Sequence, residues 1–202
     1  MVWMGPESEI SGAPPVVTEG LFAMTPVATT RGWVAVGALQ PGDLLLTFDD
    51  GPQPVVASYS AYLEDGNADQ WPLRVPAGAL ENREEISLLP DQKVLIESDA
   101  AERLFGDPFA LVPARALHDW RGIERFHPME GERVVQLRFR KPQVIYASRG
   151  VLLSCAGEEW DAAVWQDPGH TVCTMQQSRH LAACLIAEEA GAALNDGGTD
   201  TH

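Results

Sequence analysis

The 202-residue chain is 45% hydrophobic and 21% charged, the proportions of a globular protein long enough to bury one core without disulfide staples. Its 14 Lys plus Arg against 29 Asp plus Glu leave a formal charge of −15, a field that repels a phosphate backbone and excludes nucleic acid as the expected partner. No run approaches the roughly 20 apolar residues of a membrane span, and the opening MVWMGPESEISGAPP lacks the basic and apolar segments of a signal peptide, so a soluble protein of the cytoplasm is the default expectation unless another export route is used.

Residues 1–18, rich in Pro, Gly, Ser and Glu, read as a flexible leader. From Thr25 to Val36 (TPVATTRGWVAV), β-branched residues flank Arg31-Gly32, the pattern of two strands joined by a tight turn. Pro41-Gly42-Asp43 punctuates the chain before an apolar strand, Leu44 to Phe48, and Asp49-Asp50-Gly51 turns it into another running through Val55 and Val56. Glu85 to Leu89 and Lys93 to Ile96 form two further runs around Pro90-Asp91, which leaves Gln92 at a strand edge. Asp99 is the expected N-cap of a short helix ending at Gly106. FALVP at 109–113 reads as a strand and Ala114 to Leu117 as one helical turn. Glu132 to Phe139, Gln143 to Ser148 and Val151 to Cys155 read as three closing strands. In the tail, residues 156–202, Leu181, Leu185 and Ile186 with Ala182 and Ala190 follow a 3.6-residue period, which predicts an amphipathic helix at about 174–194. Many short strands with Gly and Pro turns predict a mostly β fold, a sandwich or irregular barrel, with a C-terminal helix.

Thr25, VAT at 27–29, Gly32 and the run LQPGDLLLTFDDGPQPV at 39–55 resemble the opening of the Hint domain, the Hedgehog/intein autoprocessing module, in its bacterial form. Leu39, Gly42, Asp43, Thr47, Asp49, Gly51, Gln53 and Pro54 carry that likeness. LLPDQKVLIES at 88–98 is similar to the family's second block, and LVPARAL at 111–117 and QVIYASRGVLLSC at 143–155 to later ones. The resemblance covers residues 19–155 and implies a compact Hint-like β domain over that span.

It also implies a reaction. In the family the first residue, usually Cys, attacks the preceding carbonyl and turns an amide into a thioester, while a His of the second block, preceded by Ser or Thr, protonates the departing nitrogen. Counting back from Thr25 puts the first residue at Gly20; counting back from Val94 puts the His at Gln92, with Leu89 where Ser or Thr is expected. Glycine has no side chain to attack with, and glutamine cannot act as an acid near neutral pH. The expectation is therefore a degenerate domain that keeps the fold, does not cut itself, takes no cofactor and serves as a scaffold or interaction module for a protein partner the sequence does not identify.

Other residues offer alternatives. Thr25, Ser154 and Cys155 lie inside matched blocks and are substitute nucleophiles, Thr25 and Cys155 foremost, although a strand Thr satisfying a turn and a buried small Cys are the simpler accounts of them. The base is left unidentified: His118 and His127, flanking a Trp-Arg-Gly segment, read first as surface or half-buried histidines and only secondarily as catalytic ones. His170 and Cys173, then His180 and Cys184, supply two His and two Cys, the donor set of a tetrahedral zinc site, but only six residues separate the pairs and Cys184 fits the apolar helix face. The pairs Asp49-Asp50, Glu84-Glu85, Glu158-Glu159 and Glu188-Glu189 lack the spacing of a calcium loop. The three cysteines, all in the last quarter, make no disulfide framework.

Overall fold

A computed structural model describes residues 16–64, 66–158 and 169–196. In chain order the strands are β1 (Leu21–Phe22), β2 (Pro26–Thr29), β3 (Gly32–Ala35), β4 (Leu44–Thr47), β5 (Gly51–Pro54), β6 (Ala57–Tyr62), β7 (Leu73–Val75), β8 (Ile86–Leu88) and β9 (Lys93–Glu97). After helix α1 (Asp99–Phe105) come β10 (Phe109–Pro113), β11 (Glu124–Arg125), β12 (Arg133–Phe139), β13 (Gln143–Ala147), β14 (Val151–Gly157), β15 (Thr171–Val172) and the long helix α2 (Met175–Asp196). Twelve strands join in one sheet along the path β15-β10-β9-β14-β13-β2-β4-β5, to which β12 adds β1 and β6 and β2 adds β3; β11, β7 and β8 make a small second sheet.

The turn chemistry of the sequence explains most of these elements. Gly32 at φ +108° and Gly51 at φ +67° begin the return strands of the β2–β3 and β4–β5 hairpins, where a left-handed backbone excludes a β-branched residue. The buried faces then converge: Val27, Leu45, Ile96, Val112, Leu137, Phe139, Ile145 and Leu153 belong to one core cluster, each at most 6% exposed. At about 1.5–3 kcal/mol for each large aliphatic or aromatic side chain fully withdrawn from water, this cluster is the main opponent of chain entropy.

Where the structure departs from the sequence reading, the causes are local. The cap of α1 is Ser98, not Asp99, because the Ser98 hydroxyl oxygen accepts from the Ala101 N–H at 3.0 Å and Asp99 becomes the first helical residue. β5 stops at Pro54; the Val55 N–H turns to the Asp43 carbonyl and the Val56 N–H to Arg138, handing the chain to β6. Ala114 to Leu117 is a 3-10 turn. Strands β1, β7, β11 and β15 are two or three residues long, too short to show a period, and β6 (ASYSAY), which pairs with β12, sets small residues beside exposed tyrosines and offers no aliphatic run. On α2 the buried stripe is Leu181, Ala182 and Leu185, while Ile186 is 45% exposed, so the stripe is narrower than the expected one. Among the described residues no helix is long and apolar enough to cross a membrane.

Candidate functional site

The short pairing of β1 with β12, Leu21 opposite Val135 and Phe22 opposite Val134, places Gly20 against the middle of β12. Gly20 stands at φ +132°, and a Cβ built on it meets Val134 Cγ1 at 2.7 Å, the Val135 carbonyl oxygen at 3.1 Å and Gln136 Cγ at 3.2 Å. Both the backbone angle and the neighbours thus require a residue without a side chain here.

Gln92 reaches the same point from the turn before β9. Its backbone is fixed at both ends, the N–H donating to the Leu89 carbonyl and the carbonyl accepting from Ala114. Its side chain, 1% exposed, donates through Nε2 to the carbonyls of Ser154 at 2.8 Å and Lys93 at 3.1 Å. With two carbonyl oxygens facing the nitrogen, the amide has one sensible orientation, and Oε1 accepts from the Gly20 N–H at 3.3 Å. On the other side Gln136 Nε2 donates to the Glu19 carbonyl at 2.9 Å. Two glutamine amides therefore bracket one peptide bond, Glu19–Gly20: one donates to its oxygen and the other accepts from its nitrogen's hydrogen. This arrangement polarises the amide mildly while leaving its N–H a donor. It supplies neither an attacking atom nor a proton for a departing nitrogen.

Leu89 is fully buried and forms a small satellite core with Leu63 and Val134, against which Val17 and Phe22 pack. Position 89 thus offers a hydrocarbon wall. Cys155, 5% exposed, lies on β14 opposite Gln143 of β13; burial, then the nearby Glu19 carboxylate, push its thiol up to about 12, with Arg138 pulling the other way, so it stays protonated at neutral pH. Thr25, 7% exposed, donates its N–H to the Phe22 carbonyl and closes the turn after β1. The His118 ring contacts Asp119 at 2.9 Å and the His127 ring stacks edge-on with Trp71 at 4.9 Å.

The four candidate zinc donors are not gathered. Among the described residues no group of three or more His, Cys, Asp or Glu is placed to hold a metal ion. His170 is buried between Phe48 and Phe109, ring centroids 5.7 and 5.5 Å away, with Nε2 3.0 Å from Asp49 Oδ2. Cys173 is buried in the core, its thiol held above the ordinary range by burial; His180 is exposed on α2 and Cys184 packs partly against the core. A helical spacing of four put His180 and Cys184 on neighbouring positions, but the buried stripe of α2 runs through Leu181 and Leu185. Of the acidic pairs, Asp50 is held below the ordinary carboxylate range by Lys141 and then Gln143, a surface contact bracing the β4–β5 turn. Glu159 lies outside the described residues.

Sequence reasoning missed Gln136 and Glu19 as members of the site. The one available signal was a polar residue in the middle of VVQLRF, which a two-residue period assigns to a solvent face.

A family model described as Hint domain matches residues 20–153. Among solved structures, the crystal structure of the MchDnaB-1 intein is 19% identical with a TM-score of 0.45, the alignment covering 67% of this chain and 98% of that one. The solution structure of a bacterial intein-like domain from Clostridium thermocellum is 16% identical with a TM-score of 0.48, over 68% of this chain and 99% of that one. The crystal structure of the Msm DnaB1 intein splicing domain bound with zinc is 17% identical with a TM-score of 0.42, over 67% and 98%. No curated protein sequence matches this one.

Proposed function

Since the chain belongs to the Hint domain family, we propose that it is a Hint scaffold that no longer cleaves itself and that acts as a structural or interaction module. The observation that carries this reading is the bracketed Glu19–Gly20 bond. An N-to-S or N-to-O shift begins with a side-chain nucleophile on residue 20, and Gly20 has none. The shift is completed by a proton delivered to the amide nitrogen, and the group facing that nitrogen is the oxygen of Gln92, which accepts. The start of the family match at Gly20 supports the counting that places the first residue there.

The other readings have less support. A protonated, buried Cys155 is a poor nucleophile, and Thr25 is tied through its backbone to Phe22 and Val36 as a turn residue. A zinc module would need its four ligands to converge, and the absence of any group of three or more such donors among the described residues favours the scaffold reading over it.

The test is the intact mass of freshly expressed full-length protein, incubated at neutral pH with and without dithiothreitol. A single unchanged mass is expected under both conditions. Loss of the first 19 residues, accelerated by thiol, overturns the reading and returns the domain to the autoprocessing class.

A further inference from the structure

Resting on that reading, we infer that the former cleavage centre is a binding seat for an extended peptide, and that its occupant is the chain's own segment Val16–Glu19. The residues that a cleaving site would spend on chemistry are here spent on holding. Leu89 stands where the family resemblance places Ser or Thr; with Leu63 and Val134 it forms an apolar wall, and Val17 packs on that wall beside Phe22. A hydroxyl at position 89 would remove that hydrocarbon surface and require a hydrogen-bond partner of its own.

The backbone of the segment is held by a ladder. The Asp91 N–H donates to the Thr18 carbonyl at 2.8 Å, Gln136 Nε2 to the Glu19 carbonyl at 2.9 Å, and the Gly20 N–H to Gln92 Oε1 at 3.3 Å. These contacts read main chain and fit any extended peptide. Side chains add selectivity. Val17 packs, partly buried, on the apolar wall, and Val16 Cγ1 comes within 3.5 Å of where a Cβ on Gly66 would stand. The Glu19 carboxylate lies 3.4 Å from Lys93 Nζ in a half-exposed pair. The seat therefore takes an extended segment with a β-branched residue three positions before the glycine and an acid immediately before it. Every element of the site grips the peptide on either side of Glu19–Gly20, and none is aimed at breaking that bond. The seat protects the junction from cleavage.

The experiment uses the full chain and two readouts. A glutamyl-specific protease cuts after Glu19 in any accessible chain; in the folded protein this cut is expected to be roughly a hundredfold slower than in a synthetic peptide of residues 12–26. Val17→Asp, which puts a carboxylate against the apolar wall, is expected to speed the cut in the folded protein by about tenfold. Hydrogen exchange on the unmodified chain supplies a readout independent of any variant: the Asp91 and Gly20 amides are expected to be protected, because their acceptors are the segment's Thr18 carbonyl and the Gln92 side chain. Cleavage of the native chain at the peptide's rate, an unaltered rate in folded Val17→Asp, or fast exchange at Asp91 overturns the seat. If Val17→Asp does not fold, exchange at Asp91 decides alone, slow supporting the seat and fast refuting it. Failure of the seat with an unchanged intact mass leaves the non-cleaving reading standing, whereas spontaneous, thiol-accelerated loss of the leader refutes that reading itself.

Discussion

Replacing Gly20 by alanine tests the central geometric claim with one methyl group. The new Cβ would stand 2.7 Å from Val134 Cγ1, inside any tolerated contact, and Val134 is fully buried, so it cannot swing away into solvent. Overpacking of this kind costs about 1–3 kcal/mol, and forcing a residue with a Cβ to hold φ near +132° adds a further 1–3 kcal/mol or so. The sum is about 2–6 kcal/mol, which for a chain of this length lowers the melting temperature by roughly 4–24 °C. Urea denaturation of wild type, Gly20→Ala, Val134→Ala and the double variant closes a cycle. The clash predicts that the double variant loses less than the two single losses added together, by about 1 kcal/mol or more. A Gly20→Ala loss under about 1 kcal/mol, or a coupling of zero, would refute the argument that position 20 is built around glycine. The same reasoning bears on attempts to restore a nucleophile: Gly20→Cys adds the same Cβ plus a sulfur, and should destabilise the fold before it can restore any chemistry.

Two other changes probe the backbone and the core. The β13–β14 hairpin turns through Ser148 at φ 43° and Arg149 at φ 59°, with the Gly150 N–H donating to the Ala147 carbonyl, a left-handed turn that prefers Asn-Gly; Arg149→Gly should raise stability by about 1 kcal/mol, read as a higher denaturation midpoint at unchanged slope, and a lower midpoint would contradict it. Cys155 keeps its proton in the folded state up to about pH 12 but loses it near its ordinary value of 9.0 when unfolded; its contribution is thus complete below that value and falls as pH rises toward 12, by up to about 1.4 kcal/mol per pH unit. Cys155→Ala should therefore flatten the alkaline decline seen between pH 8 and 10.5 in parallel denaturation curves, and identical declines in the two proteins would show that the thiol is not buried as described.

The sequence revealed the hairpins because turn chemistry is local. Arg31-Gly32 and Asp50-Gly51 announce themselves wherever they occur, and β10 was legible to the residue because FALVP is bounded by Pro108 and closes on its own proline. The site was half legible. Block spacing pointed to Gly20 and Gln92, and the structure brings these two into contact. What could not be read was the far wall: Gln136 and Val134 enter through a two-residue pairing of β1 with β12 across more than a hundred positions, and nothing in LF at 21–22 distinguishes a strand from a loop. The surroundings of the candidate metal donors were illegible for a related reason. Spacing along the chain constrains neighbours on one helix, but His170 packs between Phe48, just after β4, and Phe109 of β10, residues far upstream of it.

The family match ends at Val151-Leu152-Leu153, before β14 itself is complete, yet the protein's interior does not end there. β15 lies parallel along β10, with Ala110 opposite Thr171, and Cys173, Leu181 and Leu185 belong to the same buried cluster as the sheet. Arg103 and Arg121, on two separate segments of the body, pair with Glu188 and Glu189 on α2. A fragment trimmed to the matched span would bare a backbone edge on β10 and a hydrocarbon strip that α2 now covers, both invitations to self-association. Ancestry and cooperativity draw different borders on this chain: the first can be recognised from residue 20 to 153, while the second extends through the helix, and any dissection of the protein has to follow the second.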